Sequence, residues 1–393
     1  MAQVNPRPLQ GEREIGLRER EMGQEEKMRA ELAAEIKEKE RRLRGLLEGR
    51  GAEAVLLARR DNFSWFTGGA SNHVGQATEL GVASLLVSRD RKWVICDNIE
   101  AGRILDEEVG EQGYELASFP WYGGSAAEQV SKLVAGRVIS DLGAGEANAA
   151  DEIARLRWSL TPGEVARYRV VGELVSRALS QAAHALRPGM SEHQIASLIC
   201  TPLIAEGVQP TVVLVAVDGR IDRYRHPIPT DARLEQRAML VVCGRKWGLI
   251  VSATRMVSMR LPSAELRRKH QAVVRVDEAF IGNSVPGRPV GEVFQAALAV
   301  YAAAGCGEEW QLHHQGGPTG YAGREYRANA NTPHPVLENQ AFAWNPSITG
   351  TKSEDTIIAT GAGPVAVSWP YDYPTIVLTS TGREVTRADI LVL

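Results

Sequence analysis

The stretch Leu160-Thr161-Pro162-Gly163-Glu164 decides how this chain divides. A threonine, a first-turn proline and a glutamate three residues after the threonine make a reciprocal cap for a helix start. The helix it opens carries Val165, Tyr168, Val171, Leu174, Val175, Ala178 and Leu179 at helical spacing. It is expected to stop near Arg187-Pro188-Gly189, because proline disfavours helix in the residue before it and lacks a backbone donor. Ser191 with Gln194 opens a second capped helix. Strand-like runs follow at 211–217, 239–243 and 248–252, then helical runs at 264–281 and 291–304, and short strands and turns to the end.

Upstream, residues 11–47 are dominated by Glu, Arg and Lys, with Met28, Leu32, Ile36, Leu43, Leu46 and Leu47 as a thin apolar stripe. This predicts a long charged helix that is a solvated extension over 1–40 and becomes packable only near its end. Strands are expected at 54–57, 82–87 and 92–96, and a helix at about 99–109. The alternation reads as a smaller α/β domain over 41–158, followed by the larger domain over 159–393.

The bulk numbers are those of an ordinary soluble globular protein: 393 residues, 44% apolar, 24% charged, net charge -3. A slightly acidic balance gives no case for nucleic acid. No apolar run approaches the roughly 20 residues that span a bilayer. The first thirty residues lack the apolar segment of a signal peptide, so a cytoplasmic location without membrane contact is expected. Cys96, Cys200, Cys243 and Cys306 form no metal-binding spacing and read as buried structural thiols.

Three polar clusters interrupt the core-forming sequence of the larger domain. Arg225-His226-Pro227-Ile228-Pro229 and His313-His314-Gln315-Gly316-Gly317 set histidines in turn-prone contexts, and Thr351-Lys352-Ser353-Glu354 leads into an apolar run. Histidine both takes and gives protons near neutrality. Being adjacent, His313 and His314 are expected to face opposite sides of a strand, with one of them in the pocket. The glycines after them would let substrate approach the backbone. Arg223 and Arg225 are candidate contacts for an anionic group. Glu354 needs a cationic partner in a closed cleft, either a histidine or Lys352.

From Thr161 onward the order of segments resembles the pita-bread family of methionine aminopeptidase, prolidase, aminopeptidase P and creatinase. The carriers are the Leu160–Glu164 start, the Leu186-Arg187-Pro188-Gly189-Met190-Ser191 turn and the His226-Pro227-Ile228-Pro229 loop. Asp61-Asn62-Phe63-Ser64-Trp65-Phe66-Thr67-Gly68 resembles the N-terminal domain of the prolidase and creatinase branch. The resemblance implies an α/β fold of the α+β kind, a pita-bread domain preceded by a smaller creatinase-type domain, and a homodimer. Metal-using members hold two ions with two aspartates, a histidine and two glutamates. By the same resemblance those positions are here Val241, Ser252, His313 or His314, Asn345 and Glu354. Valine cannot ligate, and neutral serine and asparagine are poor ligands for hard divalent ions. No metal and no cofactor is therefore expected.

Creatinase, which works without metal, implies an acid/base role for His226 and a carboxylate-anchoring role for Arg324. Its guanidinium-binding glutamates match Thr254 and Asn345, which argues against creatine itself. The resulting expectation is a metal-independent hydrolase that cleaves a C–N bond in a small polar or carboxylated molecule. His226, His313, His314 and Glu354 would carry the chemistry. Arg324, Asn345, Ser252, Thr254 and Tyr326 would contact substrate, as would Asn72 and His73 from the partner's covering loop over 68–76. An elimination reaction would use the same groups. The alternatives are a metal-dependent Xaa-Pro peptidase and a non-catalytic ligand- or peptide-binding protein.

Overall fold

The computed structural model describes residues 10–379 and 382–393, with side chains from residue 26. A single long helix, α1 (Gln10–Arg50), leads into β1 (Ala54–Arg59) and the short α2 (Arg60–Phe66). With β2 (Leu80–Ser88), β3 (Lys92–Asp97), β4 (Glu115–Phe119) and β5 (Val138–Ser140), β1 forms a sheet of order β4-β3-β2-β1-β5. The β1/β2 and β2/β3 pairs are antiparallel and the two outer pairs parallel.

The capping box at Thr161 forms as expected and opens α3 (Pro162–His184), and that at Ser191 opens α4 (Glu192–Ala205). Both helices pack on the sheet of β6 (Gln209–Val217), β7 (Arg237–Lys246) and β8 (Leu249–Ser258), where all three strands pair antiparallel. Two further helices, α5 (Ala264–Asn283) and α6 (Val290–Ala303), back a second sheet built from β9 (Gly316–Thr319), β10 (Gln340–Trp344) and β11 (Asp355–Ala359). The two sheets are stitched where β8 meets the start of β11. Thr254 N–H donates to the Glu354 carbonyl (3.0 Å), and Ser252 N–H donates to Thr356 Oγ1 (2.9 Å). The polar clusters converge on this seam.

The helix α1 is more than a solvated lead-in. Met28 is exposed, but Ile36, Leu43 and Leu47 are buried in the core. Lys39 is fully buried and its ammonium meets Glu35 (2.6 Å), Glu164 (2.7 Å) and the Trp65 carbonyl (2.6 Å). Glu164 thus caps α3 with one oxygen and holds Lys39 with the other, while Tyr321 donates to it as well (2.7 Å). One buried ion cluster therefore ties α1, the first domain and the second domain together. Such a network is costly to break, since removing one member strands the rest without water.

Among the described residues no helix is long and apolar enough to cross a membrane. Of the four cysteines only Cys96 is buried; Cys200, Cys243 and Cys306 are partly exposed, and none is paired.

Candidate functional site

The His226 loop follows a short helical turn, Gly219–Arg223, and is held against β6 by Val215 N–H donating to the Pro227 carbonyl (3.2 Å). Across the seam His313 ends a 3₁₀ turn, Glu309–Leu312, and His314 follows it in irregular backbone before β9 begins. Because neither lies in a strand, the alternation rule does not apply, and the expectation of opposite faces is wrong. The two rings stack, with centroids 4.4 Å apart, and both approach His226 at 4.8 and 5.6 Å. His226 Nε2 and His313 Nε2 share a hydrogen bond of 3.0 Å.

All three imidazoles are shifted toward the neutral form. Burial pushes His313 down to about 2, helped by Lys352 and the neighbouring rings, and pushes His314 down to about 4, helped by Arg324. His226, the most open of the three, is lowered by burial of part of its ring and by Lys352, against the opposing pull of Glu354. A neutral imidazole can accept a proton, and the shared N–H gives His226 a fixed orientation.

Glu354 lies at the seam and is buried. Lys352 donates to its Oε2 at 2.7 Å, Thr254 Oγ1 donates to the same oxygen at 2.7 Å, and Arg324 reaches Oε1 at 3.3 Å. Burial alone would raise this carboxyl, but Lys352 and Arg324 outweigh it and hold it below the usual range. Among the described residues no histidine is bonded to it, and Lys352 is the nearer of its two cationic partners. Lys352 is one of the two partners that the sequence offers for Glu354.

Other expected contacts fare unequally. Asn345 is buried and its Oδ1 has no hydrogen-bond partner among the described residues. Ser252 is buried with Oγ 3.1 Å from Cys243 Sγ. Burial raises the Cys243 thiol, which leaves it a poor nucleophile. Tyr326 is engaged elsewhere: its ring packs against Trp158 (5.0 Å) and His334 (5.2 Å) rather than the three histidines. Asn72 is fully buried and its amide donates to the Ala83 carbonyl (2.7 Å), so it fastens its own loop to β2 instead of reaching substrate. His73 bonds Ser71 and lines a cleft between the two domains, away from the other histidines. Arg225 is paired with Glu309 (2.7 Å) and Thr349 (3.0 Å), and is not free for an anion. Gly316 and Gly317 are required by close backbone packing. A Cβ on Gly316 would sit 2.1 Å from the Ala343 carbonyl oxygen, and one on Gly317 would sit 2.8 Å from that of Tyr326.

Residues 166–363 match the model of metallopeptidase family M24, and residues 40–166 match the creatinase/prolidase N-terminal domain. The chain belongs to family M24, in its creatinase, prolidase and aminopeptidase P branch. It is thereby a member of a C–N hydrolase family. A probable dipeptidase PepE of Mycobacterium tuberculosis (strain ATCC 25618 / H37Rv) is 25% identical over 279 residues, covering 68% of this chain and 74% of the relative. A Xaa-Pro dipeptidase of Lactobacillus delbrueckii subsp. lactis is 25% identical over 223 residues, 54% of this chain and 60% of the relative. The solved prolidase of Pyrococcus horikoshii OT3 superposes with a TM-score of 0.72 at 18% identity, over 85% of this chain and 99% of that one, which establishes the pita-bread fold.

Family M24 membership raises the question of metal. Two divalent ions need several carboxylates converging on one space. Here Val241 faces Thr254 across β7 and β8, Ser252 leans on Cys243, and Asn345 is neutral. The one carboxylate of that set, Glu354, already carries an ammonium and a guanidinium. A dinuclear centre does not fit this donor set. His226, His313 and His314 bring one nitrogen each within 4.8 Å of one another, a grouping that could hold a single ion. Yet Lys352, Arg324 and Arg327 bear on those rings with the same sign as any incoming cation.

Proposed function

We propose that this M24 member hydrolyses a C–N bond in a small polar or carboxylated molecule without a metal ion, by histidine acid/base chemistry. The observation that carries the reading is the clamp of Lys352 and Arg324 on Glu354, in the space where a metal's positive charge would be needed. In this scheme the fixed side-chain cations polarise the scissile group. The neutral His226 takes one proton from a water molecule whose oxygen adds to the substrate carbon. As the C–N bond breaks, the same proton passes to the departing nitrogen, so nothing beyond water is consumed. His313 orients His226 through their shared hydrogen bond, and His314 packs against both rings. Asn345 Oδ1 accepts from a substrate N–H, and the outer edge of Arg324 receives a carboxylate. Glu354 acts as a positioning residue through its two cations.

The experiment is a screen of small amides, ureido acids and proline dipeptides with and without chelator, on wild type and His226→Ala. Chelator-resistant turnover that depends on His226 is the expected result. Turnover seen only with added manganese, cobalt or zinc would instead favour a metal-dependent Xaa-Pro dipeptidase. That second reading is supported by the named relatives and by the three-histidine grouping.

A further inference from the structure

A second polar space lies between the two domains. It is a cavity of about 150 Å³ walled by Arg60, Asp61, Ser71 and His73 from the first domain and by Arg245 and Trp247 from the second. Arg60 is buried, and its guanidinium meets only neutral acceptors: the carbonyls of Gln76 (3.0 Å) and Thr78 (3.1 Å) and the side-chain oxygen of Gln209 (3.1 Å). Arg245 makes no side-chain hydrogen bond and no ion pair among the described residues, and its Nε is buried without a partner. The nearby carboxylates are committed. Asp61 is taken by Arg157 (3.1 Å) and Arg59 (3.5 Å), and the exposed Glu79 lies 3.6 Å from Arg59. Burial and their mutual repulsion hold Arg60 below the usual guanidinium value, and burial does the same to Arg245.

Two guanidiniums facing one enclosed space repel each other at reduced dielectric, and Asp61, the carboxylate in its wall, is already shared by Arg157 and Arg59, so a further anion between them would relieve the repulsion. Arginine forks match the paired oxygens of carboxylate and phosphate. On β7, Arg245 stands four residues from Val241, which puts it on the order of 13 Å along the strand from the Glu354 seam. The space is therefore separate from the histidine pocket. We propose that this interdomain cleft binds a small oxyanion, a carboxylate or a phosphate, held between Arg60 and Arg245 with Ser71 and His73 completing the contact. The bound anion would bridge the two domains.

The test is thermal unfolding of the full chain at low ionic strength, titrated separately with inorganic phosphate and with acetate, each against sodium chloride at matched ionic strength. Arg245→Gln is the variant, since that side chain has no hydrogen bond to lose. Wild type should show a saturable rise in Tm on the order of 2 °C with at least one oxyanion. Arg245→Gln should show none, and without anion should be at least as stable as wild type. Phosphate alone acting would assign phosphate or its esters, and acetate acting would assign carboxylates. No rise beyond chloride with either oxyanion, or an equal rise in Arg245→Gln, overturns the proposal. Because the readout is binding, it is independent of whether the hydrolase reading holds.

Discussion

Two places in this molecule gather arginine or lysine in an enclosed space, and they do so in opposite ways. At the seam between the sheets, Lys352 and Arg324 close on a resident carboxylate, Glu354, and Thr254 completes its hydrogen bonding. Between the domains, Arg60 and Arg245 face a cavity whose one lining carboxylate, Asp61, is already paired with Arg157 and Arg59. The first arrangement has a resident carboxylate bonded to both cations and keeps one positive charge in excess, a fixed electrostatic frame around the histidines. The second is charge-incomplete. What separates the two is whether a resident carboxylate is bonded to both cations, not residue type.

The largest expected effect concerns the chemistry that the closed site supports. His226→Ala should lower turnover on any substrate found by the screen by about 10²–10⁴-fold with Tm unchanged, the usual range for an acid/base group. A fall in Tm with normal specific activity in the remaining folded protein would make His226 a structural residue. Next comes the closure itself. Glu354→Gln leaves two cations buried without their anion and should destabilise the fold by about 3–5 kcal/mol in denaturant titration. Adding Lys352→Met should recover a measurable part of the loss, because the two positions are coupled. A near-zero cost for Glu354→Gln would erase the difference between the two regions.

A smaller effect should appear with pH. His313 and His314 have folded values depressed to about 4 or lower, so the unfolded chain binds protons first as pH falls from about 6.5. Their contribution to stability is present above about 6.5 and drains away as pH falls toward 4. Tm should decline across that window, and less steeply in a His313→Gln, His314→Gln double variant. Glu354 is also depressed, so its contribution is lost only below the ordinary glutamate range of about 4.3. An equal slope in wild type and the double variant would show that the neutral imidazoles carry no linkage.

Much of the fold was legible because its signals are local. The Thr161 and Ser191 caps and the alternating runs around them need only short windows, and both helices begin where those caps stand. The convergence of His226, the 313–314 pair and Glu354 was legible through the order of segments. Burial of Lys39 was not, because a lysine in a Glu- and Arg-rich helix looks solvated until Glu164 and Trp65 arrive from distant segments. The side on which His314 faces was missed because a strand was assumed where the chain bends. Asn72 looked like a free polar group in a glycine-rich loop, yet its partner is a backbone carbonyl that no side-chain pattern reveals. The open charge at Arg60 and Arg245 joins residues from different domains and left no trace in spacing.

The central claim, that side-chain cations stand where relatives of this fold would need metal, is tested most directly by the metal content of the purified protein. Cells should be grown with manganese, cobalt and zinc, and the protein assayed by elemental analysis. The account predicts substoichiometric metal, unchanged between wild type and Glu354→Gln. One or more equivalents of a transition metal in wild type, lost in the Glu354→Gln or His313→Ala variant, would contradict it.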